Sequence, residues 1–329
     1  SYLYRITYTG SESTELSQLD TTSEHAKARA TRRKLESFHG SANGEALGVA
    51  WTHLGSEDYH IRYAARIAIE WQNPKFWAQK AYSEKNDLAA IHALLGLARS
   101  DYDNSLKPSV ERLLKVNFQD LDKSGQLAIL RTYSVFMSRN GLPEEKQVHA
   151  IGEQLDPFFP SKDNNLNEEL CRVLCYLDHP SAVQKTIALM KTTKAMIPDF
   201  NTDIMKRNKH YGSRILSSMN ADATPNILNI HLLFCLKGVQ AGWTMKDRKA
   251  YLGELQTLMT KKGGNMFTGY IQKIRESAIA SVPSKDRISL QYLMGEVKSV
   301  NLAKLPKAKG PGVAWTVDSG LKVLNEEPL

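Results

Sequence analysis

The segment DYHIRYAARIAIEWQ, residues 58–72, constrains this chain more than any other. Ile61, Ala64, Ala65, Ala68 and Ile69 recur at the spacing of one helix face, while Arg62, Arg66 and Glu70 fall elsewhere. Its alanines allow a neighbouring helix to approach closely, and Pro74 ends the run. The period returns at 86–99, where Ile91, Leu94, Leu95 and Ala98 share a stripe. It returns again at 165–177, with Leu166, Leu170, Val173, Leu174 and Leu177. Further helices are expected at 24–38, 43–54, 75–84, 105–116, 124–139, 144–155, 181–191, 199–218, 225–240, 245–260, 266–280 and 285–297. Turn residues separate them: Asn140-Gly141 with Pro143, Pro157 and Pro160, Asp178-His179-Pro180, Pro225, Gly263-Gly264 and Pro283.

Many short helices joined by brief turns predict an all-α fold, an α-solenoid of HEAT-like helical hairpins with a period of about 40 residues. Asp58, Ile61, Arg62, Ala64 and Ala65 match the second-helix pattern of such repeats, in which Asp and Arg ladder between neighbours. Glu169, Arg172 and Val173 are a weaker echo. Two ends depart from the pattern. SYLYRITYTG alternates Tyr2, Tyr4, Ile6 and Tyr8 with Leu3, Arg5 and Thr7 and reads as a lone β-strand. Beyond residue 300 the prolines, glycines and lysines read as an extended linker. The expected division is 1–19 strand and linker, 20–300 solenoid, and 301–329 linker.

Motifs exclude more chemistry here than they indicate. There is no G-x-G-x-x-G, P-loop, H-E-x-x-H, G-x-S-x-G or C-x-x-C-H, so no catalytic, cofactor-binding or metal-ligating residue is assigned. No apolar run approaches the about 18 residues of a membrane span. His39, His53 and His60 lie in one stretch but on different faces or in turns. His92 and His231 sit in apolar stretches and read as satisfied core or boundary residues. Cys171 and Cys175, one helical turn apart, read as two small buried side chains, and with Cys235 they define no disulfide framework. DYDN at 101–104 starts like a calcium loop but lacks its glycine and final glutamate, so a turn with a helix cap is expected.

The net charge of +8 permits an anionic partner. Arg29, Arg32, Arg33 and Lys34 form the densest cluster, but basic residues do not recur once per repeat along the sequence. Residues 241–278 are unusually rich in Trp, Tyr and Arg. Thr244 is placed to cap a helix carrying Arg248 and Tyr251, and Asn265 a helix carrying Phe267, Tyr270 and Arg275. With Trp243 these form either a buried helical hairpin or a docking surface.

LYRITYTGSEST, ARATRRKLESFHG (28–40), AWTHLGSEDYHIRYAARIAIEWQ (50–72), ALLGLAR (93–99), ELCRVLCYLDHPSAV (169–183), GWTMKDRKAYLGEL (242–255), KKGGNMFTGYIQKIRESA (261–278) and GPGVAWTVD (310–318) together resemble landmarks of one protein type. It is similar to the bacterial PVC-type haem-binding C-x-x-C-H proteins, also labelled membrane-bound dehydrogenases. The resemblance implies a β-propeller before this segment and a cytochrome c domain after it, with LYRITYTG as the last propeller strand. It implies a periplasmic or otherwise extracytoplasmic setting, haem c in the parent protein and no cofactor in this chain. The neighbouring domains, or another protein, would then be the partners. The expected function is a non-catalytic scaffold or interaction module. A basic solenoid that binds nucleic acid and a self-contained enzyme are the alternatives.

Overall fold

The computed structural model describes residues 3–5, 7–16, 25–193, 225–261 and 266–295. The segment expected at 199–218, Asn265 with Gly263-Gly264, and the 301–329 linker lie outside the described residues. Among the described residues the fold is all-helical and no strand occurs. The N-terminal strand is therefore corrected over 3–5 and 7–9; Tyr2 and Ile6 lie outside the described residues. Leu3, Tyr4 and Tyr8 are 102%, 81% and 52% exposed. A strand persists only with a ladder partner, and the described residues offer no second strand to share its backbone hydrogen bonds.

The helices are α1 (Ala26–Glu36), α2 (Ala46–Trp51), α3 (Tyr59–Glu70), α4 (Ala78–Ser83), α5 (Asp87–Arg99), α6 (Leu106–Leu113) and α7 (Lys123–Asn140). They continue as α8 (Glu145–Leu155), α9 (Asn164–Tyr176), α10 (Ala182–Thr192), α11 (Ile227–Leu236), α12 (Met245–Thr260), α13 (Phe267–Ala280) and α14 (Arg287–Met294). The expected starts and ends hold to within a few residues, except that the last helix is shorter and follows a 3-10 turn at Ser284–Asp286.

Packing follows the chain order. α3 lies against α1 and α5, α7 against α5 and α9, and α11 against α9 and α13. The even-numbered helices add further contacts: α4 contacts α5 and α6, α10 contacts α9 and α12, and α12 contacts α13 and α14. Small residues set the spacing. Ala64, Ala65 and Ala68 are buried on α3, and a Cβ at Gly96 of α5 would sit 3.4 Å from Glu70 Cγ and 3.5 Å from Ile69 Cδ1. On α5 every residue from Ala89 to Ala98 is buried, because helices surround it. Trp77 closes the start of this core, edge-on to Trp51 at 6.3 Å, with its indole N–H donating to the Gln72 carbonyl.

A recurring device starts five of the odd-numbered helices, though not α1 or α13. Asp58, Asn86, Asp122, Asp163 and Asn226 each accept a backbone N–H of their own first turn, which caps α3, α5, α7, α9 and α11. On α3, α7 and α9 a long polar side chain four residues beyond the cap turns back onto the preceding loop. Arg62 donates to the Ser56 and Glu57 carbonyls, Gln126 to that of Phe118 and Asn167 to that of Ser161. Thr244 and Asp247 form a full capping box on α12, where the sequence predicts a cap. The DYDN segment is a turn, but Ser105 at the start of α6 makes no side-chain cap bond; Asp101 instead pairs with Arg139.

Candidate interaction face

Three cavities lie in a row along the odd-numbered helices. The first, about 390 Å³, is bounded by Arg32, Glu36, His39, His60 and Tyr63 between α1 and α3. The structure brings together His39, in the turn after α1, and His60, at the start of α3, and leaves His53 elsewhere. His39 Nε2 bonds the Ala64 carbonyl at 2.9 Å, so it ties α3 to the turn after α1. Arg32 pairs with Glu36 at 3.1 Å. Arg29 and Arg33 share the helix with it, Arg33 exposed and Arg29 half-buried.

The second cavity, about 410 Å³, spans α3, α5 and α7. Tyr59, Tyr63, Arg62, Arg66, His92, Arg99, Ser124 and Arg131 line it. Glu70 answers two of these cations, Arg66 and Arg99. Arg131 is exposed. Arg62 is 3% exposed, and its Nε donates to His92 Nε2 at 3.0 Å while Nη2 donates to Ser124 Oγ at 2.8 Å. The expected Asp–Arg ladder is corrected here. Asp58 is spent on the N–H groups of His60 and Ile61, and Arg62 is held by carbonyls, an imidazole and a hydroxyl with no carboxylate. A cap does not by itself forbid a bridge, since Asp163 caps α9 through Oδ1 and also pairs with Lys123 of α7 through Oδ2.

His92 accepts from Arg62 through Nε2, so the proton of its neutral ring sits on Nδ1, which is buried without a partner. Burial, then the adjacent Arg62 and Arg66 charges, hold its pKa down to about 3. The unfolded chain therefore binds a proton near pH 6.5 that the folded chain refuses. Stability from this group is full above about pH 6.5 and is lost as pH falls toward 3. The expected loss is about 2 kcal/mol between pH 7 and pH 5. Urea titrations at both pH values check it, and His92→Gln flattens the difference.

The third cavity, about 480 Å³, lies between α7, α9 and α11. Its wall is apolar at Met137, Val173, Cys175 and Phe234, with Arg172 and Lys237 at its edges. Lys237 Nζ sits 3.9 Å over the Phe234 ring, and Tyr270 of α13 stacks on that ring at 6.0 Å. Ser134 Oγ, also in the lining, is a buried hydroxyl with no partner. The three cysteines gather beneath. Cys171 Sγ is 3.7 Å from Cys175 Sγ and 3.5 Å from Thr186 Oγ1, and Cys235 Sγ is 3.4 Å from His231 Nε2. The contact with Cys175 and burial push the Cys171 thiol well up; that with Cys171 and burial do the same for Cys235. These are protonated packing groups, as the i, i+4 spacing predicts, and His231 is satisfied by the Glu168 carbonyl. Among the described residues no group of three or more His, Cys, Asp or Glu is arranged to hold a metal ion.

The tryptophan-, tyrosine- and arginine-rich C-terminal group divides. Trp243 donates to the Val239 carbonyl and packs on Tyr251 at 5.2 Å with Arg248 over its ring at 4.9 Å. Tyr251 donates to the Leu233 carbonyl, and Arg275 holds the Leu293 and Gly295 carbonyls at the end of α14. Phe267 packs against the core. These side chains build the hairpin; Tyr270 alone of them stands exposed beside the third cavity.

The cavities join into one strip. Tyr63 lines the first and second, and Arg131, Ser134 and Ser138 share one face of α7 between the second and third. Along it, α1 contributes Arg32, α3 Arg66, α5 Arg99, α7 Arg131 and α9 Arg172, and Lys237 follows α11. Four of these cations already face a carboxylate, Arg32 with Glu36, Arg66 and Arg99 with the shared Glu70, and Arg172 with Glu169. Burial divides the arginines, since Arg62, Arg66 and Arg112 are buried and Arg99 and Arg131 exposed. Comparison of the chain with protein-family models, curated proteins and solved structures finds no match. No helix among the described residues is long and apolar enough to cross a membrane.

Proposed function

We propose that the chain is a non-catalytic scaffold, an α-solenoid of HEAT-like hairpins that presents its odd-numbered helices to a protein partner. The observation that carries this reading is the strip itself, where Arg99, Arg131, Arg172 and Lys237 lie among the exposed Tyr59, Tyr63, Tyr176 and Tyr270. Tyr and Arg favour interfaces because each offers a large contact area with a fixed polar end. The chain-order packing of the helices supports the solenoid, since each hairpin buries its apolar face on its neighbours. The buried polar side chains support a structural role, because Arg62, Gln126, Asn167 and Arg275 are committed to loop carbonyls.

The resemblance in sequence extends the proposal. The scaffold belongs to a larger extracytoplasmic redox protein and holds a propeller and a haem c domain apart at fixed geometry. Small-angle X-ray scattering and a turnover assay test it together. A solenoid gives a radius of gyration clearly above the about 20 Å of a compact chain this long. Sugars and alcohols with an artificial electron acceptor give no rate above buffer. A compact profile, or a saturable rate from this chain, overturns the reading.

A further inference from the structure

The second cavity concentrates positive charge. Arg62, Arg66, Arg99 and Arg131 line it, and among the described residues the one carboxylate in ion-pair contact with any of them is Glu70, shared by Arg66 and Arg99. Four guanidinium charges less one carboxylate leave three. Arg62 is buried and held by neutral groups, and Arg131 is exposed with no hydrogen-bond or ion-pair partner among the described residues. Donors there are also uncommitted. Four of the five N–H groups of Arg62 go to Ser56, Glu57, His92 and Ser124, which leaves one. The Nδ1–H of His92, a side chain 7% exposed, is buried without a partner. A buried charge without a counter-charge and a buried donor without an acceptor are both unfavourable, so both groups gain from an anion in the cavity.

We propose that this cavity binds a small phosphate monoester, its phosphate among Arg62, Arg131 and His92 and its body against Tyr59 and Tyr63. Near neutral pH such a phosphate carries about −1.5 to −2 charge and offers three acceptor oxygens. A carboxylate brings one charge and would leave two of the three unanswered. Guanidinium forks take phosphate oxygens through parallel hydrogen bonds. The two tyrosines give the body an aromatic surface, since both are exposed and their rings stack at 6.1 Å. At about 410 Å³ the cavity has the size of a small-ligand site. The surplus is local, which favours a small ligand over a nucleic-acid duplex. In the first cavity Arg32 already faces Glu36, and in the third Arg172 faces Glu169 while Lys237 lies over the Phe234 ring. A phosphate backbone gains from unanswered cations repeated along its track, whereas one phosphate needs them in one place.

Isothermal titration of the full chain tests this with phenyl phosphate, inorganic phosphate, benzoate and a duplex oligonucleotide as probes. Phenyl phosphate is expected to bind at a single site, about tenfold more tightly than benzoate and about threefold more tightly than inorganic phosphate. Arg131→Gln weakens it by about fivefold or more, while Lys146→Gln, an equal charge change on α8, leaves it within about twofold. Tyr59→Ala brings phenyl phosphate down to the affinity of inorganic phosphate. Melting temperatures of these variants stay within about 2 °C of the wild type, as exposed positions allow. No binding of phenyl phosphate, equal affinity for benzoate, tighter binding of the duplex, or indifference to Arg131→Gln overturns the proposal. The scaffold reading stands or falls on the scattering profile, whichever way these titrations go.

Discussion

Arg62→Ala will destabilise the protein by about 4 kcal/mol, more than most single changes do. The side chain is buried and serves three elements at once. It closes the turn before α3 through the Ser56 and Glu57 carbonyls, reaches His92 on α5, and reaches Ser124 on α7. Alanine leaves both carbonyls short of a donor and leaves His92 with neither nitrogen satisfied. The buried imidazole nitrogen left without a donor costs about 1–3 kcal/mol, and the lost packing of the long side chain and its lost bonds to the part-buried Ser56 and Glu57 carbonyls add to it. Lysine keeps the charge but cannot divide it among four acceptors, so Arg62→Lys recovers less than half of the loss. Arg131→Ala, on the same strip but exposed, changes stability by about 0.5 kcal/mol or less. Urea unfolding of the three variants checks the order, and a loss below about 1 kcal/mol for Arg62→Ala would show that the turn is held by something else.

Gly242→Ala is expected to cost about 3 kcal/mol or more, while Gly141→Ala costs about 1. Both glycines have positive φ, +75° and +78°, and at Gly141 a ψ of −170° adds to it, so a Cβ is strained at either position. Their surroundings differ. At Gly141 the Cβ would meet nothing within 4 Å. At Gly242 it would lie 2.1 Å from the Pro180 carbonyl oxygen and 3.0 Å from its carbon, which are backbone atoms and cannot rotate away. The loop cannot retreat freely either, since Asp178 Oδ1 clamps the Gln240 and Ala241 N–H groups at 2.7 and 2.9 Å. Thermal unfolding should separate the two by several degrees, at about 2–4 °C per kcal/mol.

Much of the helical frame is legible in the amino-acid pattern alone. The stripe at 61–69, the run at 86–99 and the Thr244 cap are local signals, and each falls where its spacing places it. The opening strand is the exception. Alternation at Tyr4 and Tyr8 satisfies a local preference, but a strand needs hydrogen-bond partners, and the described residues supply none. The candidate site is less legible for a related reason. The repeat pattern marks Arg62 as structural, but nothing in the sequence distinguishes Arg66, which is buried, from Arg131, which is exposed. The Trp243, Arg248, Tyr251 and Arg275 group is as rich in interface residues as the strip, yet its side chains are committed to one another and to backbone carbonyls.

Local chain chemistry sets where helices start, which faces are apolar and which residues cap them, because those choices are made within four residues of chain. It sets the cysteine packing too, since an i, i+4 pair on an apolar stripe points inward together. The docking of distant helices settles everything else about the strip. It selects which cations are exposed, brings Arg66 and Arg99 to the one carboxylate of Glu70, and turns Arg62 toward His92 and Ser124 rather than a carboxylate. Those facts depend on which helix lies beside which, and residues about thirty or more positions apart carry no local signal of their meeting.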